Sequence, residues 1–425
     1  MQIKIFLIYF KVSSRKGVYD NKVQTEDRKE IYMKTLYLHV GTPKTATSSI
    51  QKYLTQNRKV LEAHGYCYPR SQHKYPGINP RRNGHFLFGK VINENGERSK
   101  KKEALYYKEG MQQIRTAFQT YDNVILSDES IWYCLSYFKK SLLTKLKEEA
   151  ESAQFEIKVI VYLRRQDAFL LSRWNQAVKQ NTSFAATLSC EDYFAVEQQK
   201  EEKLYAYADK LDEIAKVIGK ENLIVRRFEP GSWRDGLIIH DFMHEIGLDV
   251  SEDFQPLEQE ANLRLGKNAT EIKRVINLNR DFTAKEVSYL GKFLKDITNN
   301  GPQEEPTAML EKAEMQQFLE KYETQNERVA EEYIGDGKPL FSAEIKDLPK
   351  WNANNSAMQE DMIRFFTGVM VDLRRENETQ QKEIAKLQKQ VDKLTADFVL
   401  FKDKVRHPFR TVVNRLFHRK RQKKS

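Results

Sequence analysis

The 425-residue sequence contains few cysteines and no long apolar segment. Its three cysteines lie far apart and are odd in number, so they predict neither a disulfide framework nor a zinc site, and a reducing compartment is expected. The apolar run Ile3–Phe10 falls well short of the about 20 residues that a membrane-spanning helix needs. No small-residue cleavage site follows it, so it is also a poor signal peptide. We therefore expect neither a membrane span nor a disulfide-rich mini-protein.

The body of the chain also lacks an excess of charge of either sign. The formal net charge is +11, of which residues 1–34 carry +4 and residues 406–425 carry +8. Residues 35–405 are therefore nearly neutral, at −1, and their charge does not predict a nucleic-acid-binding globule. Residues 11–34 are polar and lack periodicity, and we expect residues 1–33 to form a disordered N-terminal extension.

Short apolar segments alternate with helical patterns over residues 34–345. The predicted strands are Thr35–Val40, Asn123–Leu126, Ile157–Leu163 and Asn222–Phe228. This alternation predicts an α/β domain, in which a mostly parallel sheet is flanked by helices and followed by a mainly helical region. Ligands of such sheets bind beyond the carboxyl ends of the strands. Three polar segments lie there, namely 41–49, 127–130 and 164–172.

The first polar segment reads Gly-Thr-Pro-Lys-Thr-Ala-Thr-Ser-Ser and begins at Gly41. Glycine permits an unusual backbone angle, the start of the next helix offers N–H groups to an anion, and Lys44 adds a cation. The segment predicts a phosphate cradle made of Gly41, Thr42, Lys44, Thr45, Ala46, Thr47 and Ser48. The alternative is an ordinary capped turn with a solvent-exposed lysine. Pro43 stands where a Walker A loop has glycine directly before its lysine, which disfavours a nucleotide kinase.

A second anion site is predicted after the third strand. Arg164 closes that strand, and Ser172 follows eight residues later. If a helix begins near Asp167, arginine would bind a phosphate with two hydrogen bonds and serine would donate one more. A surface salt bridge would explain Arg164 equally well. Proximity to the predicted phosphate cradle favours the anion site.

Together these two sites resemble those of the sulfotransferase superfamily, in particular the bacterial carbohydrate sulfotransferases. LHVGTPKTATSSIQKYL is similar to the family's 5′-phosphosulfate loop, and VIVYLRRQDAFLLSRWNQ is similar to its 3′-phosphate strand and helix, with the same Arg-to-Ser spacing. Weaker similarities such as ILSDESIWY extend the resemblance over roughly residues 34–342. The sequence departs from the family at Ala46, where the loop usually has glycine, so we expect a shifted turn there. Ser49 stands where cytosolic members often carry tryptophan, which indicates a different branch.

The resemblance implies a P-loop-type fold with 3′-phosphoadenosine 5′-phosphosulfate as co-substrate and no required metal. It implies in-line transfer of the sulfuryl group to a hydroxyl of a carbohydrate, in a bacterial surface glycan or glycolipid. The residues that match the family are Lys44 for the leaving phosphate, Thr45, Thr47 and Ser48 for the 5′-phosphate, and Arg164 and Ser172 for the 3′-phosphate.

The catalytic base is expected among three side chains. Glu129 ranks first, because it follows a strand and matches the glutamate of carbohydrate-type members; the alternative is an acid favoured by a helix dipole. Asp128 is adjacent, but side-chain direction alternates at a strand end, so only one of the two carboxylates should point inward. His85 ranks second and lies in the Pro-, Gly-, Asn- and Arg-rich segment 66–99, which predicts a long functional loop. A loop histidine without a catalytic role explains His85 equally well.

From Ile363 to Val405 apolar residues recur at alternating spacings of three and four. The a positions are Ile363, Met370, Asn377, Ile384, Val391, Phe398 and Val405, and the d positions are Phe366, Leu373, Gln380, Leu387, Leu394 and Phe401. This pattern predicts a coiled coil over residues 362–406, after a linker over residues 346–361. β-branched a residues, leucine at d and Asn377 at an a position favour a parallel homodimer. The alternative is a long helix packed back on the catalytic domain.

Residues 407–425 form a basic tail in which apolar residues are interleaved with cations. Such an amphipathic segment predicts contact with an anionic membrane surface, whereas nucleic acid is the less favoured partner and a disordered solubilising tail is the alternative. We therefore expect a cytoplasmic protein held at the inner membrane face. Two other functions remain open. A small-molecule P-loop kinase is disfavoured by the missing Gly-Lys-Ser/Thr, and a non-catalytic coiled-coil scaffold by the presence of the candidate site residues.

Overall fold

The computed structural model covers the chain from the first predicted strand to the end of the predicted coil. It describes residues 33–93, 95–137, 141–200, 202–257, 265–279, 281–301 and 305–406, together with Phe409, Val412 and Val413. Almost all of the predicted N-terminal extension and most of the predicted basic tail lie outside the described residues.

The core of the molecule is a parallel five-stranded sheet with the strand order β2-β3-β1-β4-β5. The strands are β1 (Lys34–Gly41), β2 (Tyr66–Cys67), β3 (Asn123–Ser127), β4 (Phe155–Leu163) and β5 (Leu223–Arg227). The predicted fold class, a mostly parallel sheet flanked by helices and followed by a helical region, is confirmed. The sequence reading missed β2, because this two-residue edge strand begins the segment predicted as a long loop.

Helices cover both faces of the sheet and form the region that follows it. They are α1 (Thr47–Gln56), α2 (Arg58–Ala63), α3 (Lys100–Ala117), α4 (Ser130–Tyr137), α5 (Ser141–Ala153), α6 (Gln166–Gln180), α7 (Cys190–Lys200), α8 (Glu202–Tyr205), α9 (Tyr207–Ile218), α10 (Ile238–Glu245), α11 (Lys267–Leu278), α12 (Ala284–Asn300), α13 (Lys312–Glu320), α14 (Glu323–Val329) and α15 (Ser356–Arg406). Among these helices, none combines the length and the apolarity needed to cross a membrane.

The central strand β1 is buried on both faces because successive side chains point to opposite sides of a strand. Leu36 and Leu38 lie in a large apolar cluster that also contains Leu211 of α9. Tyr37 lies in a second cluster, together with Ile50 of α1 and other residues from the opposite face of the sheet. This two-sided burial explains why the strand reads as a continuous apolar run.

Strand β1 lies at the point where the order of the sheet reverses direction. Its neighbours are β3 on one side and β4 on the other. After β1 the chain continues to β2 and β3 on one side of β1, and after β3 it crosses to β4 on the other side. Ligands of parallel α/β sheets bind at such switch points, beyond the carboxyl ends of the strands. The turns after β1, β3 and β4 all open onto this edge.

The C-terminal helical region has its own small core. Residues of α11 and α12 form a third apolar cluster with Phe365 of α15. Helix α15 is 51 residues long and begins at Ser356, inside the segment predicted as a linker. A continuous helix therefore links this region to the predicted coil.

Candidate anion-binding and catalytic site

The turn between β1 and α1 has the backbone of an anion-binding nest. Lys44 and Ala46 adopt positive φ angles of 70° and 58°, whereas Thr45 between them does not. Alternation of left- and right-handed residues turns successive N–H groups toward one concavity. Helix α1 begins at Thr47 with no side-chain cap and no acidic residue in its first turn, so its positive end is available to an anion.

Gly41 brings the end of β1 close to the end of β3. Its φ angle is +94°, which favours glycine, and a Cβ atom there would lie 3.0 Å from the Pro43 nitrogen and 3.2 Å from the Glu129 Cβ atom. The predicted base therefore lies beside the first residue of the predicted phosphate cradle.

The threonines at the start of the turn brace it from within. Thr45 Oγ1 donates to the Thr42 carbonyl at 2.5 Å, and Thr42 Oγ1 donates to the Tyr162 carbonyl at 3.1 Å. Both side chains are fully buried, whereas Lys44 and Ser48 are exposed. The backbone N–H of Thr42 also donates to the Tyr162 carbonyl, at 2.8 Å, so Thr42 supports the turn, and any contribution of Thr45 to anion binding would come from its backbone rather than from its hydroxyl group.

Arg164 lies directly against this turn. Its Nη1 donates to the Lys44 carbonyl at 2.9 Å, and its guanidinium lies 5.6 Å from the centre of the Phe228 ring. Lys44 Nζ donates in turn to Gln176 Oε1 of α6 at 3.2 Å. Ser172 precedes Gln176 by one turn of α6, so both residues lie on the same face of that helix. The two predicted anion sites are thus neighbours.

Asp128 and Glu129 are directed to different partners. Asp128 is fully buried: its Oδ1 accepts from Arg82 and from the Ser130 N–H, and its Oδ2 lies 2.9 Å from His85 Nδ1. The side chain of Glu129 is 19% exposed; its Oε2 accepts from Gln51 at 3.0 Å, and its Oε1 lies 3.5 Å from Arg82 Nη1. Glu129 therefore lies beside the turn, whereas Asp128 anchors the loop that carries His85.

The arginine between the two carboxylates remains charged. Burial alone would lower the pKa of Arg82, but Asp128 and Glu129 beside it hold the pKa above its ordinary value. His85 is buried between the rings of Tyr75 and Phe88, at centroid distances of 4.6 and 4.8 Å. This packing fixes the imidazole in one place.

A buried polar chain leads from the centre of the sheet to Glu129. His39 Nδ1 lies 2.9 Å from Ser127 Oγ, which accepts from Gln51 Nε2 at 3.2 Å, and the same Gln51 nitrogen donates to Glu129. Complete burial lowers the pKa of His39 to about 3, so its imidazole is neutral at physiological pH. This series of hydrogen bonds restricts the position of the Glu129 carboxylate.

Three of these side chains were not predicted from the sequence as part of the site. Arg82 and Gln51 contact Glu129, and Gln176 contacts Lys44. Arg82 lies in the predicted functional loop, and Gln51 follows Thr47 by one helical turn. Neither position indicates from the sequence which side chain the residue contacts. Within the described part of the chain, no group of three His, Cys, Asp or Glu side chains is arranged to hold a metal ion.

Comparison with known proteins yields two similarities. No protein-family model matches the chain. An uncharacterised protein of Archaeoglobus fulgidus is 27% identical over 179 residues, which are 42% of this chain. The match spans 46% of that relative, so this chain covers less than half of its length.

The second similarity is to a solved structure. The crystal structure of a sulfotransferase from Alicyclobacillus acidocaldarius matches 57% of this chain and 93% of its own, with 19% identity and a TM-score of 0.34. A TM-score this low gives no information about the residues of the site.

Proposed function

We propose that this protein is a sulfotransferase that moves the sulfuryl group of 3′-phosphoadenosine 5′-phosphosulfate to a hydroxyl of a carbohydrate or glycolipid. The observation that carries the proposal is the convergence of three features at the switch point of the sheet. An anion-binding turn follows β1, Arg164 contacts that turn from the end of β4, and Glu129 lies beside it at the end of β3. A phosphate-bearing donor fits the first two features, and an acceptor hydroxyl fits the third.

The residues present suit a donor with two separate phosphate positions. The nest N–H groups, the first turn of α1 and Lys44 would hold the 5′-phosphosulfate. Arg164, together with the face of α6 that carries Ser172, would hold the 3′-phosphate. When bound, the donor supplies a sulfuryl group on a phosphate leaving group, and Lys44 neutralises the charge that develops there.

Glu129 would accept the proton of the acceptor hydroxyl. Gln51 and Arg82 orient its carboxylate, and its partial exposure leaves it within reach of an acceptor. Asp128 is less suited to this role, because both of its oxygens already accept hydrogen bonds or face His85 inside the protein. We place Asp128 and His85 in the support of the loop within residues 66–99, which carries Arg82 and His85.

Calorimetric titration with nucleotides tests the donor site. Adenosine 3′,5′-bisphosphate should bind more tightly than ATP or the 2′,5′-isomer. Arg164→Ala should weaken its binding by about 1.5–3 kcal/mol, the range for hydrogen bonds to charged groups. Arg70→Ala is the matched control, because Arg70 is an exposed arginine outside the site.

An assay of sulfuryl transfer tests Lys44. Lys44→Ala should abolish transfer, and Lys59→Ala, at an exposed lysine, should not.

Three results would contradict the proposal. Equal binding of 2′- and 3′-phosphorylated nucleotides would contradict the assignment of Arg164 to the 3′-phosphate. Preferred binding of ATP with phosphoryl transfer would favour the kinase, and no binding of any nucleotide would favour the scaffold.

A further inference from the structure

Helix α15 uses one face of its first turns to pack on its own domain. Asp361 accepts from Asn268 of α11 at 2.9 Å, and Phe365 joins the apolar cluster that contains Phe293 of α12. Together with Met358, these are the residues of α15 that are buried. They occupy positions c and f of the heptad frame.

The opposite face of the same turns stays uncovered. Ile363, Phe366 and Met370 occupy a and d positions and are 66%, 56% and 69% exposed. The domain therefore does not use the apolar seam, here defined as the a and d positions from Ile363 to Val405. From residue 373 to residue 406 every side chain of the helix is exposed, so the remainder of the seam is uncovered as well.

We propose that α15 of a second copy of this chain covers this seam, parallel and in register. The length of the seam fits this occupant, because the 34 residues beyond the domain extend for about 50 Å at 1.5 Å per residue. A spacing of three and four residues keeps such a seam facing a partner helix. Burial of large apolar side chains along this length provides the driving force.

The polar residues within the seam select the register. Asn377 at an a position and Gln380 at the adjacent d position interrupt the apolar series. In a parallel, in-register pair each of them faces its own counterpart, and side-chain amides both donate and accept hydrogen bonds. A shift by one heptad would instead bury these amides against apolar side chains, which is costly.

The flanking charges select the orientation. An antiparallel pair that kept the two polar layers together would place Glu376 of each helix opposite Glu383 of the other, which gives two repulsive contacts. In the parallel pair Asp397 lies opposite Lys402, and both glutamates face glutamine side chains. Parallel pairing thus replaces two like-charge contacts with attractive or neutral ones.

Packing on opposite faces makes this pairing sterically compatible with the fold. The domain occupies the c and f face, so the a and d face is open from the first turns onward. Both catalytic domains would lie at one end of the coil and both C-terminal tails at the other.

Light scattering on the full-length chain without nucleotide tests the pairing and is independent of the proposed function. The mass should be about twice the 50.0 kDa of one chain. Leu394→Asp, at a d position, should reduce the dimer at least tenfold at micromolar concentration. Leu400→Asp should not, because Leu400 is similarly exposed but occupies a c position. A monomeric wild type, or equal effects of the two variants, would overturn the proposal.

Cysteine cross-linking tests the orientation. In a Cys67→Ser background, Val391→Cys at an a position should form an interchain disulfide under mild oxidation, whereas Lys389→Cys at an f position should not. In the antiparallel pair described above, position 391 would lie about 38 Å from its counterpart, at 1.5 Å per residue. A dimer that does not cross-link through position 391 would overturn the parallel register.

Discussion

At the scale of single residues, the candidate site depends on which of two adjacent carboxylates faces the turn between β1 and α1. Asp128 is buried against Arg82 and His85, whereas Glu129 lies beside Gly41 and remains partly exposed. The two carboxylates therefore differ in their surroundings, because Asp128 points toward Arg82 and His85, whereas Glu129 lies beside the turn.

Removal of the charge of Glu129 should slow catalysis without loss of donor binding. Glu129→Gln keeps the size of the side chain but not its basicity, so turnover should fall about 10²–10⁴-fold. Asp128→Asn breaks a buried ion pair and should lower the free energy of unfolding by about 3–5 kcal/mol. Steady-state rates, calorimetric binding and urea unfolding separate the two effects. If His85→Ala abolishes turnover and Glu129→Gln does not, the choice of base is wrong.

Ala46 carries conformational strain that glycine would remove. Its φ angle of 58° lies in the left-handed region, which costs a residue with a Cβ atom about 1–2 kcal/mol. Glycine gains entropy in the unfolded chain, which offsets part of this difference, so Ala46→Gly should stabilise the protein by up to about 1 kcal/mol. Ala215→Gly, within helix α9, should instead destabilise it by about 1 kcal/mol. Urea unfolding measures both, and the same sign for both variants would contradict the interpretation.

At the scale of elements, β1 combines an apolar strand with one buried histidine. His39 is fully buried, and one of its ring nitrogens contacts Ser127 Oγ. The other ring nitrogen has no hydrogen-bond partner among the described residues. The strand therefore contains a group that protonates readily only when the protein unfolds.

This histidine predicts a loss of stability in mild acid. The pKa of His39 is lowered by burial from 6.5 to about 3 in the folded state, so between these values the unfolded chain binds more protons. The free energy of unfolding should fall as pH drops below 6.5, by up to about 1.4 kcal/mol per pH unit. His39→Gln should weaken this dependence between pH 5 and 7. His244→Gln, an exposed control, should leave it unchanged, and identical profiles for both variants would refute the prediction.

At the scale of the whole molecule, the parallel pairing proposed for α15 would present two basic tails at the same end of the coil. The tails are rich in Lys and Arg with interleaved Phe, Val and Leu. Two linked tails bind a surface more tightly than one, because the second contact is intramolecular. We propose that they hold the enzyme at an anionic membrane where a glycolipid acceptor is concentrated.

Cosedimentation with lipid vesicles tests this arrangement. The full-length chain should sediment with anionic vesicles, and less so at high salt, since each Lys or Arg near the surface contributes about 1 kcal/mol. A chain ending at residue 407 should stay in solution, and its activity on a small soluble acceptor should be unchanged. Neutral vesicles are the control. Far tighter binding of the tail to DNA than to lipid would contradict the membrane proposal.

The sequence by itself determined the fold class, the position of the turn between β1 and α1, and the apolar seam. Each of these is a local pattern: alternating strands and helices, a glycine and a lysine between a strand and a helix, and a repeat of three and four residues. The residues that produce each pattern, or each repeat of it, lie close together in the sequence. The patterns can therefore be recognised without knowledge of the fold.

Only the tertiary structure decided which side chains surround Glu129 and which face of α15 is used. Gln51, Arg82 and Glu129 come from three distant parts of the chain and meet at one edge of the sheet. The seam and the packing face of α15 are both partly apolar in sequence, and contact with α11 and α12 distinguishes them. Contacts between distant segments depend on the packing of the whole molecule, which no local pattern contains.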